Sequence, residues 1–315
     1  MSKAQGHFEK IAIIGTGLIG SSLARAIKQE KLADSLIVAD SAPENLEKAR
    51  QIGLADRYEA NATEAVVGAD LVFLCIPVGA MAAVARQIAP LLGAGAIVSD
   101  VGSVKEVVLR EVGTLLPDGV HFIPGHPVAG TEQSGPEAGF AALFRDRWCI
   151  LTPHDACDAG ALERLSDFWQ ALGSKVELMD AGHHDMVLAI TSHVPHLIAY
   201  NIVGTASDLE RVTRSEVIKF SAGGFRDFTR IAASDPTMWR DVFLSNKDAV
   251  LEMLGRFSED LTALQRAIRW GDGEALYDLF SRTRDIRRRI IDAGQDAAVA
   301  DFGRPHDGDD ARDPD

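Results

Sequence analysis

The sequence predicts a doubly wound α/β domain followed by an all-α half, and three observations carry that prediction. Uninterrupted apolar runs, each stopped by Gly, Pro or Asp, alternate with helical segments through the first half, the pattern of strands buried on both faces of a parallel sheet. The first of these runs feeds directly into Gly15, Gly17 and Gly20. Beyond Ala181 no strand-like run occurs, and long helix-periodic segments are separated only by Gly223-Gly224 and Gly271-Asp272-Gly273. The expected boundaries are 1–180 for the α/β domain, 181–300 for the helical domain and 301–315 for an acidic, disordered tail.

The stretch IAIIGTGLIG, Ile11–Gly20, reads as a strand turning into a helix whose first N–H groups face an anion. Gly15 makes the tight turn, Gly17 lets the backbone approach a pyrophosphate, and Gly20 lets the helix pack closely on the strand. The helix is marked by Ile19, Leu23, Ala26 and Ile27 on one face. A second run, Ser35–Ala39, ends in Asp40, placed to accept hydrogen bonds from an adenosine ribose; the alternative is that Asp40 caps the next helix. A carboxylate there repels a ribose phosphate, and Ser41 and Ala42 bring no arginine, so NAD is favoured over NADP. This is a Rossmann-like dinucleotide site. Its expected cofactor-binding residues are Gly15, Gly17, Leu18, Ile19, Gly20, Asp40 and Ser103.

Further along, a helix is expected over Asn45–Ile52 and a helix start near Thr63. Strand Leu71–Ile76, stopped by Pro77, belongs in the middle of the sheet. Helix Met81–Leu92, strand Ala96–Asp100, helix Val104–Leu116 and strand His121–Ile123 continue the alternation. Trp148–Leu151 and Lys175–Met179 read as two further strands around a helix over Ala161–Leu172. Asp235-Pro236 is an N-cap with proline at the first helical position, and the helix it opens is expected to run past Leu264. Its stripe of Phe243, Val250, Leu254, Phe257, Leu261 and Leu264 suits a dimer interface, with a monomeric helical core as the alternative.

At 315 residues the chain has ample core for two domains. Its 32 Lys+Arg against 46 Asp+Glu give a net charge of −14, which argues against nucleic acid or an anionic membrane surface as partner. The N-terminus lacks a signal-peptide core, and no apolar run is expected to reach the roughly 20 residues of a membrane span. Cys75, Cys149 and Cys157 show no metal or redox spacing and read as reduced thiols in a cytoplasmic protein.

Four segments carry candidate chemistry. In DVGSVK, Asp100–Lys105, Ser103 sits past a strand's carboxyl end, either near the cofactor or as the cap of a helix beginning at Val104. In Gly125-His126-Pro127, a histidine past another strand can take a hydroxyl proton, unless it is purely structural. In TSHVPH, Thr191–His196, His193 and His196 share a helical face near Pro195; with His183 and His184 they raise a zinc reading, but the spacing fits no zinc signature and no metal is expected. In GFRDFTR, Gly224–Arg230, Arg226 and Arg230 lie four apart around Asp227, suited to a carboxylate substrate or else a solvated charged face.

Together GTGLIGSS, DVGSVK, GHPVAGTE, SHVPH and GFRDFTRIAASDPTMWRD closely resemble the prephenate and arogenate (cyclohexadienyl) dehydrogenases of tyrosine biosynthesis, from Ile11 to about Gly294. GHPVAGTE with GFRDFTRIA is the specific part. The resemblance implies NAD-dependent oxidative decarboxylation of prephenate or arogenate, His126 as the proton acceptor and Ser103 as the residue that orients it. It implies substrate binding by His196, Arg230 and Arg226, and an ionic network of Glu132 and Asp227 with those arginines. It also implies that Trp239 reaches a neighbouring subunit's site in a homodimer formed by the helical domain. With no chorismate mutase segment before Ile11 and no regulatory domain after Gly294, any feedback by tyrosine is expected to act at the active site. Two readings compete: a 3-hydroxyacid-type dehydrogenase using Lys219 or Lys247, and a non-catalytic NAD-binding regulator.

Overall fold

The computed structural model describes residues 5–131, 133–213, 219 and 222–292. The chain divides into two compact units, Met1–Met253 and Leu254–Asp315. In the first, strands β1 (Phe8–Ile14), β2 (Ala33–Ala39), β3 (Arg57–Glu59), β4 (Leu71–Leu74), β5 (Ile97–Asp100) and β6 (His121–Phe122) form one sheet in the order β3-β2-β1-β4-β5-β6. Every neighbouring pair in it is parallel.

Side chains alternate across the two faces of this sheet. Ile11 and Ile13 of β1, with Leu71 and Phe73 of β4, enter one core, which α1 (Leu18–Glu30) and a later helix complete through Leu23, Ile27, Phe168 and Trp169. Ala12, Ile14, Val72 and Leu74 enter the other, with Met81, Val108 and Trp239. The runs lack polar alternation because both faces are covered. Around them lie α2 (Pro43–Gln51), α3 (Ala62–Ala65), α4 (Val78–Ile88) and α5 (Glu106–Gly113). Lys31, in the left-handed region at φ 56°, ends α1 and donates its N–H to the Ile27 carbonyl.

The last strands do not extend this sheet. β7 (Gly125–Pro127), β8 (Trp148–Leu151) and β9 (Lys175–Leu178) make a separate three-stranded sheet, with β8 antiparallel to β7 and parallel to β9. After His121 N and Ile123 N, the next donor in the β6 alternation is Gly125 N, and it turns to the Asp100 side chain at 3.3 Å, while the Pro124 carbonyl accepts from Thr152 N at 2.9 Å. The chain then crosses the end of β5 so closely that a Cβ on Gly125 would lie 3.1 Å from the Asp100 carbonyl oxygen. His126 therefore lies inside a strand of its own rather than on a loop after β6.

Helix α6 (Ala159–Ala171) connects β8 to β9. The chain continues through α7 (Ala181–Leu188), one π-helical turn (Ala189–His193) and α8 (Val194–Thr213). The stretch Ala181–Asp208 is, by length and composition, apolar enough to cross a membrane, contrary to expectation from the sequence. It also carries His184, Asp185 and His193, all buried. After α9 (Gly223–Thr229), the Asp235 carboxylate accepts from Met238 N at 2.8 Å and starts α10 (Pro236–Ser245). That helix does not run on: Asn246, at φ −106° and ψ 34°, breaks it, and α11 (Lys247–Trp270) begins anew. The break turns the Asn246 amide into the core, where it finds two partners described below. The second unit holds the rest of α11 and α12 (Gly273–Asp292); the expected tail, 301–315, lies outside the described residues.

Candidate active site

The glycine turn separates what the fold needs from what a ligand needs. Gly15 has φ +98°, and a Cβ there would sit 2.2 Å from the Cys75 carbonyl oxygen; on Gly20 it would sit 2.0 Å from the Gly15 carbonyl oxygen. Both glycines are demanded by the chain itself. A Cβ on Gly17 would meet nothing within 4 Å, so no protein atom requires glycine there, whereas a dinucleotide pyrophosphate does. The N-terminus of α1 has no side-chain cap and no acidic residue in its first turn, which leaves its N–H groups to an anion. Leu18 and Ile19 pack, partly buried, against the adjoining core. Asp40 Oδ2 accepts from Thr16 N at 2.8 Å and from Thr16 Oγ1 at 2.6 Å, and its Oδ1 accepts from Ala42 N at 2.9 Å. It ties the turn to the end of β2 and does not cap α2.

Past β5, a loop built on Asp100 and Lys105 leads to α5. Both side chains are fully buried and joined by a salt bridge, and Lys105 Nζ also donates to the Gly125 carbonyl at 2.8 Å. Asp100 accepts from Gly102 N at 2.8 Å and Gly125 N at 3.3 Å. Burial pushes the carboxyl up and the ammonium down, each offset by the other's charge. Helix α5 starts at Glu106, not at Val104, and Ser103 does not cap it. Its N-terminal N–H groups go to Asp185 of α7: Lys105 N to Oδ1 at 2.7 Å and Glu106 N to Oδ2 at 3.0 Å. Ser103 sits partly exposed on this loop.

His126 lies against the same loop, 8% exposed. Its Nδ1 is 2.8 Å from His184 Nε2, and His184 Nδ1 is 2.8 Å from Asp185 Oδ1. Burial first, and then the charges of His184, Lys105 and His193, hold His126 well below the ordinary histidine range. His193 is fully buried, and burial pulls its pKa down to about 4. Asn246 Nδ2 donates to the Asp185 carbonyl at 2.8 Å and to His193 Nδ1 at 3.1 Å. His184, Asp185, Lys105 and Asn246 were not singled out as site residues from the sequence. The signals were there: the paired acid and base of DVGSVK, and a His-Asp dipeptide one turn into a helix.

His196 stacks on Trp239, and its Nδ1–H donates to the Ser192 carbonyl at 2.9 Å. Burial, countered in part by that bond, lowers its pKa, and the neighbouring Arg230 charge lowers it further. Within its own chain Trp239 is buried among His193, His196 and Phe243. Its Nε1 is buried without a hydrogen-bond partner among the described residues, while His193 also meets the Ser103 backbone. Arg226 and Arg230 do not share one helix, because α9 ends at Thr229 and Arg230 opens a 3₁₀ turn. Arg226 is exposed, 3.9 Å from Asp227. Glu132 lies outside the described residues. Among the described residues no cluster of His, Cys, Asp and Glu gathers for a metal ion, and Lys247 is exposed beside Asp248.

A parallel sheet in this order, a glycine turn with room for a pyrophosphate and a buried neutral histidine across the strands' carboxyl ends define a nicotinamide-dependent dehydrogenase. Residues 23–178 match the family described as prephenate dehydrogenase, nucleotide-binding domain, and residues 180–282 match its dimerization domain. The chain belongs to the prephenate dehydrogenase family. It is 44% identical over 280 residues to a cyclohexadienyl dehydrogenase of Zymomonas mobilis, covering 89% of this chain and 95% of the relative. It is 32% identical to a prephenate dehydrogenase of Bacillus subtilis, over 89% of this chain and 75% of the relative. The crystal structure of the A. aeolicus prephenate dehydrogenase with hydroxyphenyl propionate and NAD+ superposes with a TM-score of 0.84 at 32% identity, over 90% of this chain and 98% of that one.

Proposed function

We propose that this enzyme oxidises a cyclohexadienyl acid, prephenate or arogenate or both, with NAD+, with His126 as the base. The observation that carries the assignment is the buried His126 imidazole, held neutral by its surroundings across the carboxyl ends of the sheet. Bound at the glycine turn, NAD+ supplies the hydride acceptor. His126 takes the ring hydroxyl proton as hydride leaves the carbon bearing that hydroxyl. The ring carboxylate then departs as CO₂, and its electron pair makes the ring aromatic and places charge on the former ketone oxygen, to which the proton on His126 can return. Aromatisation makes the step irreversible.

Around that base, Ser103 orients His126, while His196 contacts the substrate and Arg230 binds a substrate carboxylate. The Arg230 charge acting on His196 supports placing those two side chains together. Arg226 and Asp227 border the pocket as its outer ionic groups, and the family resemblance assigns Glu132 to the same network. The Trp239 Nε1–H is available to a bound polar group. Gly15, Gly17, Leu18, Ile19, Gly20, Asp40 and Ser103 hold the dinucleotide, and Asp40 selects NAD over NADP.

We further propose a cytoplasmic homodimer formed through the helical domain. Leu261, Ile268, Trp270, Tyr277, Phe280 and Ile286 are all exposed along α11 and α12, more apolar surface than a lone helix pair keeps in water. Light scattering should give twice the mass of one chain. Initial rates of NADH formation with prephenate and arogenate, each with NAD+ and NADP+, test the reaction. NAD+ reduction with either acid supports it, and no reduction with both overturns it.

A further inference from the structure

We infer that His184 and Asp185 are positioning residues that fix the tautomer of His126, so that its Nε2 presents the basic lone pair to the substrate; this rests on the proton-acceptor role proposed above. The assignment follows from counting donors and acceptors. The Asp185 carboxylate already accepts two backbone N–H groups, Lys105 N and Glu106 N, at 2.7 and 3.0 Å. Acceptor-only and anchored, it requires a proton on the ring nitrogen that faces it, His184 Nδ1 at 2.8 Å. A neutral imidazole has one N–H, so His184 Nε2 is then an acceptor. The group 2.8 Å from it, His126 Nδ1, must be the donor. That leaves His126 Nε2 unprotonated. The opposite arrangement would set a bare His184 Nδ1 against a carboxylate oxygen, lone pair against lone pair.

Other contacts hold the series still. Asn246 Nδ2 donates to the Asp185 carbonyl, Lys105 Nζ donates to the Gly125 carbonyl beside His126, and Asp100 pairs with that same lysine. The groups that face His126 with charge or titration are thus His184, Lys105 and His193, with Asp185 and Asp100 behind them and the Cys149 thiol against its backbone. When His126 becomes an imidazolium during turnover, its Nδ1–H still donates to a neutral His184 whose far side rests on a carboxylate. The arrangement therefore also stabilises the charged form transiently.

The test has two arms. In the full chain with NAD+ bound, ¹⁵N-histidine spectra, with the His126 resonances assigned by their loss in His126→Gln, should show a protonated Nδ1 and an unprotonated Nε2. An Nε2–H tautomer overturns the inference whether or not the enzyme turns over, and so separately from the proposed reaction. In kinetics with prephenate, His184→Met removes the acceptor and should lower kcat by about 10²-fold or more while KM changes little. His184→Gln, whose side-chain oxygen reaches the place of the ring Nε2, should restore much of the loss. A purely structural His184 would give equal kcat for the two variants, or a loss confined to KM, and either result overturns the assignment.

Discussion

Trp239 lies face to face with His196, the ring centroids 3.7 Å apart and the planes 24° from parallel. With one face covered and Nδ1 committed to the Ser192 carbonyl, His196 has only its Nε2 edge and its other face left for a ligand. Trp239 does this from α10, packed in the core shared with α4 and α5. Replacing it by alanine removes a buried ring at a cost of about 3–5 kcal/mol and frees His196 to rotate. Trp239→Phe keeps an apolar face. We expect Trp239→Ala to lower the melting temperature and raise KM for prephenate several-fold, and Trp239→Phe to do less of both. Unchanged KM in a folded Trp239→Ala enzyme would show that the stack does not serve the substrate.

The three glycines of the turn should respond differently to alanine. At Gly17 a methyl group meets no protein atom and φ is −66°, so Gly17→Ala should fold with wild-type stability while KM for NAD+ rises about tenfold or more. At Gly20 the methyl group would lie 2.0 Å from a backbone oxygen, and at Gly15 the backbone is left-handed as well. Those two variants should lose stability outright. Thermal melts with and without NAD+ separate the cases; a Gly17→Ala protein that binds NAD+ normally would remove the argument for a pyrophosphate at that position.

Much of this was legible in the sequence because it is local. β1, β2, β4 and β5 carry continuous apolar runs whereas β3 reads Arg-Tyr-Glu, the strand and glycine turn together take ten residues, and Asp235-Pro236 marks its helix start unaided. What could not be read is non-local. Nothing near Ser103 announces that α5 is capped from α7, 79 residues away in sequence from Glu106. The separate three-stranded sheet depends on Gly125 N leaving the ladder for the Asp100 side chain and on Thr152 N reaching the Pro124 carbonyl, partners 25 and 28 residues away in sequence. The break at Asn246 is set by two tertiary partners, Asp185 and His193, while the apolar stripe runs on past it and reads as one helix. Trp239 was placed by resemblance, and packing, not pattern, put it on His196.

Asp40 serves the turn and, by our reading, the choice of cofactor. Asp40→Ala removes the acceptor of Thr16 N, Thr16 Oγ1 and Ala42 N, so it should cost about 1–3 kcal/mol in a urea titration. It also removes the charge that repels a ribose phosphate. The ratio of kcat/KM for NAD+ over NADP+ should fall at least tenfold. If stability drops and the ratio stays put, Asp40 is a structural residue only.

The pH response should come from buried histidines. His126 must be neutral to accept a proton, and burial with neighbouring positive charge holds its pKa well below 6.5. The acid limb of kcat/KM should therefore fall at a pH clearly under that value, leaving the enzyme active in mildly acidic buffer; a limb at or above 6.5 would contradict the buried, neutral base. Stability moves with the same groups. For His193, about 4 in the folded chain against 6.5 when unfolded, the unfolded state binds more protons between those values. Stability is thus intact above 6.5, declines as pH falls from there toward 4, and gains no further penalty from this residue below that. Urea midpoints at about pH 7.5 and pH 5 should show the lower value at pH 5. His193→Asn, which cannot titrate, should shrink the difference, and an undiminished difference would assign the effect to other groups.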